Sequence, residues 1–243
     1  MKFKINGTNL PTVDIFLEDK EVVFTEAGGM AWMSSNIEME TSTRGGVMKG
    51  LGRMLAGESL FLVHYAAIGK AKITFASEFP GKILPLKLEK GQEIIFQKDS
   101  FLCAENSVNI DIHLRKKIGA GLFGGEGFIL QKATGPGYIF FEIDGEVSKI
   151  TLKRGELLKV DTGHIALYEP TVEYDFIVVK GVKNVLFGGE GLFFATMNGP
   201  GKVWLQSMPI KNLARKLLQY MPITSGGGGK RSGINMGDFL ARE

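Results

Sequence analysis

Three glutamates, each inside its own glycine-rich segment, are the residues whose type and spacing first suggest chemistry. The six-residue sequence L-F-G-G-E-G occurs twice, 64 residues apart, and A-G-E-S is a shorter version upstream. A carboxylate in such a loop can accept hydrogen bonds from glycine N–H groups or pair with a neighbouring unit. Because a catalytic constellation seldom occurs in three copies, we interpret these loops as structural. The repeat-loop residues are Gly57, Glu58, Gly125, Glu126, Gly127, Gly189, Glu190 and Gly191.

The other reactive residue types do not form a complete motif. Asp111 and His113 stand at i and i+2 of an alternating segment, hence on one face of an expected strand, and the sequence leaves open whether they form a site. Cys103 lies in an apolar segment, where we expect a buried, inert thiol. The glycine run before Lys230 lacks the Ser or Thr of a phosphate-binding loop. We therefore predict no enzymatic activity, no cofactor and no metal site.

Composition and charge exclude several classes of protein. The chain has 243 residues, of which 44% are hydrophobic, 23% are charged and one is cysteine, so it is globular without a disulfide framework. The net charge is +3, but residues 207–243 alone hold six bases and two acids. A neutral body does not fit a protein whose whole face tracks nucleic acid. No apolar run is long enough for a membrane span, and we expect a cytoplasmic protein.

Internal repetition dominates the chain. One ungapped register of 64 residues places Leu88–Glu142 on Leu152–Gln206 and brings G-P-G onto G-P-G. A weaker copy lies upstream, lengthened by a glycine-rich insert at residues 44–55. We predict one β-rich domain over residues 1–206, built from units at about 16–85, 86–149 and 150–206.

The local patterns predict strands throughout these units and one helix after them. Short runs rich in Val, Ile and Phe are bounded by Gly, Pro, Asn or Asp, as in strands that end in tight turns. Residues 207–222 fit a helix with Ser207 as its N-cap, followed by a flexible, Gly-rich basic tail at 223–243. Lys211, Arg215 and Lys216 lie mostly off its apolar face, where they would meet a protein partner or a membrane surface.

Together these motifs resemble one family. The F-G-G-E-G loops, the G-P-G turns, residues 52–59 and the closing V-W-L-Q before the helix resemble the altered-inheritance-of-mitochondria family over about Val22–Leu217. The resemblance implies a fold like that of the tryptophan RNA-binding attenuation protein. Each unit would be a short double-stranded β-helix, with three units in a chain and three chains in a ring. Mitochondrial members are linked to inner-membrane organisation, and no catalytic residue is implied. The long basic tail departs from the family pattern.

Three functional hypotheses follow. The first is a non-enzymatic, homo-oligomeric β-ring or scaffold, a homotrimer by resemblance, that binds a partner or a small ligand. The second is RNA binding by analogy of fold, but Lys98 and Lys132 fall on Thr162 and Thr196 under the 64-residue shift, so we do not expect nucleic acid as a partner. The third is an enzyme with a site between subunits, which no residue pattern favours.

Overall fold

The computed structural model describes residues 1–26, 28–43, 61–116, 128–178 and 193–218. These residues are nearly all in strands, so the all-β prediction is confirmed. The strands are β1 (Lys2–Asn6), β2 (Thr12–Leu17), β3 (Val22–Glu26), β4 (Met30–Met33), β5 (Ile37–Thr43), β6 (Phe61–Ala67), β7 (Ala71–Ala76), β8 (Gly81–Leu88), β9 (Glu93–Gln97), β10 (Phe101–Glu105), β11 (Asn109–Lys116), β12 (Phe128–Thr134), β13 (Gly137–Asp144), β14 (Val147–Leu152), β15 (Leu157–Asp161), β16 (Ile165–Tyr168), β17 (Glu173–Val178), β18 (Phe193–Asn198) and β19 (Gly201–Gln206). Short 3-10 turns at Lys98–Ser100 and Thr162–His164 and one helix, α1 (Ile210–Leu218), complete the described elements.

The described strands pair antiparallel in four sheets. Two sheets have six strands each, in the orders β5-β6-β3-β10-β13-β8 and β11-β12-β9-β16-β19-β14. The other two are shorter, with the orders β1-β2-β7-β4 and β15-β18-β17. Moving β9 and the first 3-10 turn by 64 residues gives the bounds of β15 and the second turn, as the sequence register predicts.

Apolar side chains from facing sheets form the core. β2 alternates buried and partly buried positions, because successive side chains in a strand point to opposite faces. β10 and β16 differ from it, since they are buried on both faces and carry apolar residues in succession. Phe24, Phe96 and Phe141 meet in the largest cluster, with the Phe96 and Phe141 rings 5.0 Å apart edge to face.

The two G-P-G segments connect strands of different sheets, β12 to β13 and β18 to β19, and do not close hairpins. They leave no room for a side chain at their first glycine. A Cβ on Gly135 would overlap the backbone oxygen of Glu89, and one on Gly199 would overlap that of Lys153. Glycine is therefore required there by the close approach of two backbones.

The helix begins later than the sequence indicates, and a different residue caps it. Ser207 was expected as N-cap, but its hydroxyl accepts a hydrogen bond from the Glu146 N–H at 2.8 Å. The cap comes from the end of β13, where the Asp144 carboxylate accepts from the Ile210 N–H at 2.9 Å. A carboxylate is favourable there because it meets the unpaired N–H groups and the positive end of the helix dipole.

Candidate functional site

The repeat-loop residues singled out in the sequence lie outside the described residues, as do residues 219–222 and the tail at 223–243. Their structural interpretation stays a prediction. The loop residues concerned are Gly57, Glu58, Gly125, Glu126, Gly127, Gly189, Glu190 and Gly191.

Asp111 and His113 of β11 both lie near Lys132 of β12, which is opposite Asp111 in the strand pairing. The Asn109 side-chain amide donates to the Asp111 carboxylate. His113 sits at an irregularity in the pairing of β11 with β12, next to Lys132 and Glu93. Burial and the Lys132 ammonium lower the pKa of His113, whereas Glu93 opposes them. Since the Lys132 ammonium lies 2.7 Å from the Glu93 carboxylate, that acid is already paired. Among the described residues, no three His, Cys, Asp or Glu side chains are grouped to hold a metal ion.

Cys103 is fully buried on β10. Burial raises the pKa of its thiol well above the ordinary range, and the nearby Glu142 carboxylate acts in the same direction. A thiol that stays protonated in an apolar core is a poor nucleophile. This environment matches the inert role expected from the sequence.

A cavity of about 310 Å³ opens between β3, β10 and β13, and its charged lining is mostly acidic. Glu142 of β13 lines it, and Lys98 contributes the one basic side chain of the lining. The Glu142 carboxylate accepts hydrogen bonds from the Glu78 N–H at 2.9 Å and the Ser77 hydroxyl at 3.1 Å. The other acids of the lining are Glu26, Glu78, Asp99 and Asp144.

The unusual group in this cavity is Glu142, because it is a half-buried acid without a basic hydrogen-bond partner among those described. Burial raises the pKa of Glu142 to about 7, and the charges of Glu78 and Asp144 act in the same direction. Its hydrogen bonds from Glu78 and Ser77 oppose that rise. Glu142 therefore titrates near neutral pH, well above an ordinary glutamate.

At the equivalent position, 64 residues later, the chain carries the neutral side chain of Gln206. Gln206 accepts from the Asp144 N–H at 3.2 Å, as Glu142 accepts from the Glu78 N–H. Its amide donates to the Gly163 carbonyl at 2.8 Å, a bond that an ionised carboxylate cannot make. The sequence register already aligned Glu142 with Gln206, but only the structure shows that each side chain accepts a hydrogen bond from a backbone N–H.

Of the eight strands that end the four sheets, three carry a large apolar side chain that is exposed among the described residues, namely β4, β15 and, through Met39, β5. β4 is the last strand of its sheet, and Trp32 on it is 53% exposed. β15 is the last strand of another sheet, and Leu157 on it is 67% exposed. Unpaired N–H and C=O groups along such an edge can pair with another strand.

Most of the chain, and not a single cleft, matches a known family. The family described as mitochondrial biogenesis AIM24 matches residues 3–208. The chain belongs to the AIM24 family. This confirms the resemblance seen in the loops, turns and closing strand.

Two relatives of this AIM24 protein come from Streptococcus pyogenes. An uncharacterized protein of serotype M6 is 30% identical over 234 residues, which is 93% of each chain. An X-ray crystal structure of a protein from the same species superposes with a TM-score of 0.76 at 26% identity, over 90% of this chain and 99% of that one. In the described part of this AIM24 chain, the single helix is too short and too polar to cross a membrane.

Proposed function

We propose that this AIM24 family protein is a non-enzymatic scaffold that assembles head to tail, with β15 of one copy pairing with β4 of the next. The closed form is a homotrimeric ring of nine short double-stranded β-helix units, three from each chain. The single observation that carries the proposal is that β15 and β4, each of which ends a sheet, correspond to the two strands of a seam that the chain forms twice within itself, where β3 pairs with β10 and β9 pairs with β16.

Repeated turn geometry supports three equivalent units. Three turns share the same bond, in which a backbone N–H donates to a side-chain oxygen three residues later. The acceptors are Glu21, Gln92 and Glu156, at 2.9, 3.0 and 2.9 Å. Each turn also has one residue with positive φ, namely Lys20, Gly91 and Gly155. A lysine in this conformation is uncommon, so its agreement with the two glycines argues for a common ancestral turn.

The internal seams share one register. β3 pairs with β10 through Phe24 opposite Ala104. β9 pairs with β16 through Ile95 opposite Tyr168, which is the same pair moved by one unit. The next pair in the series would join β15 with β4. Each of these strands ends a different sheet, and the two do not pair with each other within the chain.

Differences in burial between equivalent strands support a third seam between copies. All four residues of β16 and the first four of β10 are buried, because a neighbouring unit covers their edge. β4 holds the corresponding place, yet Ala31 and Trp32 are exposed and Met30 and Met33 are half-buried. On the other side of the seam, β3 and β9 are mostly buried, whereas Leu157 and Lys159 of β15 are exposed. A third seam would bury these edges as the first two are buried.

Moving the internal register by one further unit gives the intermolecular register. Lys159 of one copy would lie opposite Met33 of the next, and Val160 opposite Trp32. The sheet β17-β18-β15 would then continue through β4, β7 and β2 of the neighbour, in the order of the two six-stranded sheets. Head-to-tail contacts of this kind are heterologous and close into a ring when the rotation permits.

Light scattering during size-exclusion chromatography tests the assembly. We expect a trimer for the full chain and a monomer for Trp32→Glu, because a carboxylate at the seam would be buried beside apolar partners. Leu10→Glu is the matched control, since Leu10 is 65% exposed between β1 and β2, at the opposite edge of that sheet from β4. A monomeric parent chain, or a Trp32→Glu variant that stays trimeric, would contradict the proposal.

Cysteine cross-linking tests the register. The double variant Lys159→Cys with Met33→Cys should form covalent dimers and trimers under mild oxidation, because opposed residues in an antiparallel pair have Cα atoms about 4.5–5.5 Å apart. Lys159→Cys with Ala31→Cys is out of register by two residues and should cross-link far less. Equal cross-linking by the two variants would contradict the register while leaving the trimer intact.

A further inference from the structure

A second uncovered apolar surface lies on the C-terminal segment. Met208, Ile210 and Leu217 are 40%, 44% and 54% exposed. They account for three of the nine large apolar side chains exposed among the described residues. Three exposed apolar side chains within ten residues form a cluster, whereas exposed apolar side chains on a protein surface are normally scattered singly.

The helix α1 is attached to the sheets through its first turn. The Ile210 N–H donates to Asp144, and the Asn212 side-chain amide lies 3.3 Å from Nε2 of His164. The last described turn carries Leu217, whose exposure shows that the sheets do not cover it. Leu217 is therefore free of the sheets, whereas Leu213 is half-buried and Ile210, although 44% exposed, also lines the acidic cavity.

The sequence of α1 divides into an apolar face and a basic face. Ile210, Leu213 and Leu217 recur at spacings of three and four, which places them on one side of a helix. The polar residues between them are Asn212 and the bases Lys211, Arg215 and Lys216. No acidic residue occurs within α1, so the helix carries three formal positive charges.

We propose that α1 docks on an anionic lipid surface, with its apolar face in the interface and its bases against the lipid phosphates. This combination of an apolar stripe with Lys and Arg beside it suits a helix that lies in the plane of a membrane. A second copy of the same helix is a poorer occupant, because two helices with three positive charges each would repel. The positive charge of residues 207–243 favours the same anionic partner.

One copy of so short a helix binds weakly, since only a few apolar side chains enter the interface. In the trimer proposed above, three helices are linked, and the second and third bind at a high effective concentration. The strength of membrane binding therefore rests on the proposed trimer, whereas the contact between a single α1 and the lipid does not.

Vesicle co-sedimentation tests the docking with the full chain. We expect binding to vesicles of phosphatidylglycerol and phosphatidylcholine in equal parts, at least tenfold weaker binding to pure phosphatidylcholine, and weaker binding as salt rises. Leu217→Ser should reduce binding about tenfold, as should the combined change of Lys211, Arg215 and Lys216 to Gln. Ile68→Ser is the matched control, because Ile68 is 55% exposed and lies far from α1 in sequence.

Oligomeric state separates this proposal from the previous one. Leu217→Ser should remain a trimer in light scattering while losing vesicle binding, and Trp32→Glu should lose the trimer and bind vesicles more weakly through residual single helices. A Leu217→Ser variant that dissociates but still binds vesicles would overturn the docking proposal and assign α1 to the subunit contact. Equal binding to neutral and anionic vesicles, or none to either, would also overturn it.

Discussion

Replacing Glu142 by glutamine should make the protein more stable above neutral pH. The carboxylate of Glu142 lies in a cavity whose other acids are Glu26, Glu78, Asp99 and Asp144, with Lys98 the one base of the lining. Glu142→Gln removes the ionisable proton but keeps an oxygen that can accept from the Glu78 N–H and the Ser77 hydroxyl. Gln206 shows that the fold accommodates this amide at the equivalent position.

The magnitude follows from proton linkage. The pKa of Glu142 is about 7 in the folded protein, against about 4.3 for an unfolded glutamate. Between these values the unfolded chain ionises first, so the free energy of unfolding falls as pH rises from about 4 to about 7 and then levels off. Each tenfold change in the dissociation constant is worth about 1.4 kcal/mol, so the full effect is roughly 4 kcal/mol.

Urea unfolding from pH 5 to pH 8 at one protomer concentration measures this directly. The advantage of Glu142→Gln over the parent chain should grow with pH and be roughly 2.5 kcal/mol larger at pH 8 than at pH 5, because part of the effect already appears below pH 5. Holding the concentration constant matters because assembly also contributes to apparent stability.

The reciprocal variant Gln206→Glu is a control, because it introduces an ionisable carboxyl group where the parent chain has an amide. It places a carboxylate against the Gly163 carbonyl and should lose stability as pH rises. If the parent chain and Glu142→Gln show the same pH dependence across this range, the reasoning about the cavity is wrong.

Two further predictions concern the turns and the thiol. Gly135→Ala should lower the free energy of unfolding by at least about 2 kcal/mol in urea unfolding, because its Cβ would overlap a backbone oxygen. Gly163→Ala should be nearly neutral, since its Cβ would meet the nearest atom at 3.6 Å, and equal losses in both variants would contradict the steric argument. Cys103 should react with Ellman's reagent only as fast as the protein unfolds, and rapid labelling of the native protein would contradict its burial.

The sequence by itself determined the strands, the turns and the 64-residue register. These are local properties, because alternation, β-branched residues and a glycine where two backbones meet act over a few residues. The same local signals explain why the helix was expected but its cap was not. Asp144, which caps α1, is distant in sequence, and no local pattern links it to Ile210.

Only the tertiary structure decided which groups are buried together and which edges remain open. The register aligned Glu142 with Gln206, but the acidic cavity around Glu142 is formed by residues from five separated segments of the chain. Likewise, β4 and β15 look like the other strands in sequence, and their exposure depends on which strands lie beside them. Burial and edge pairing are set by contacts between distant parts of the chain, and for this reason local pattern does not reveal them.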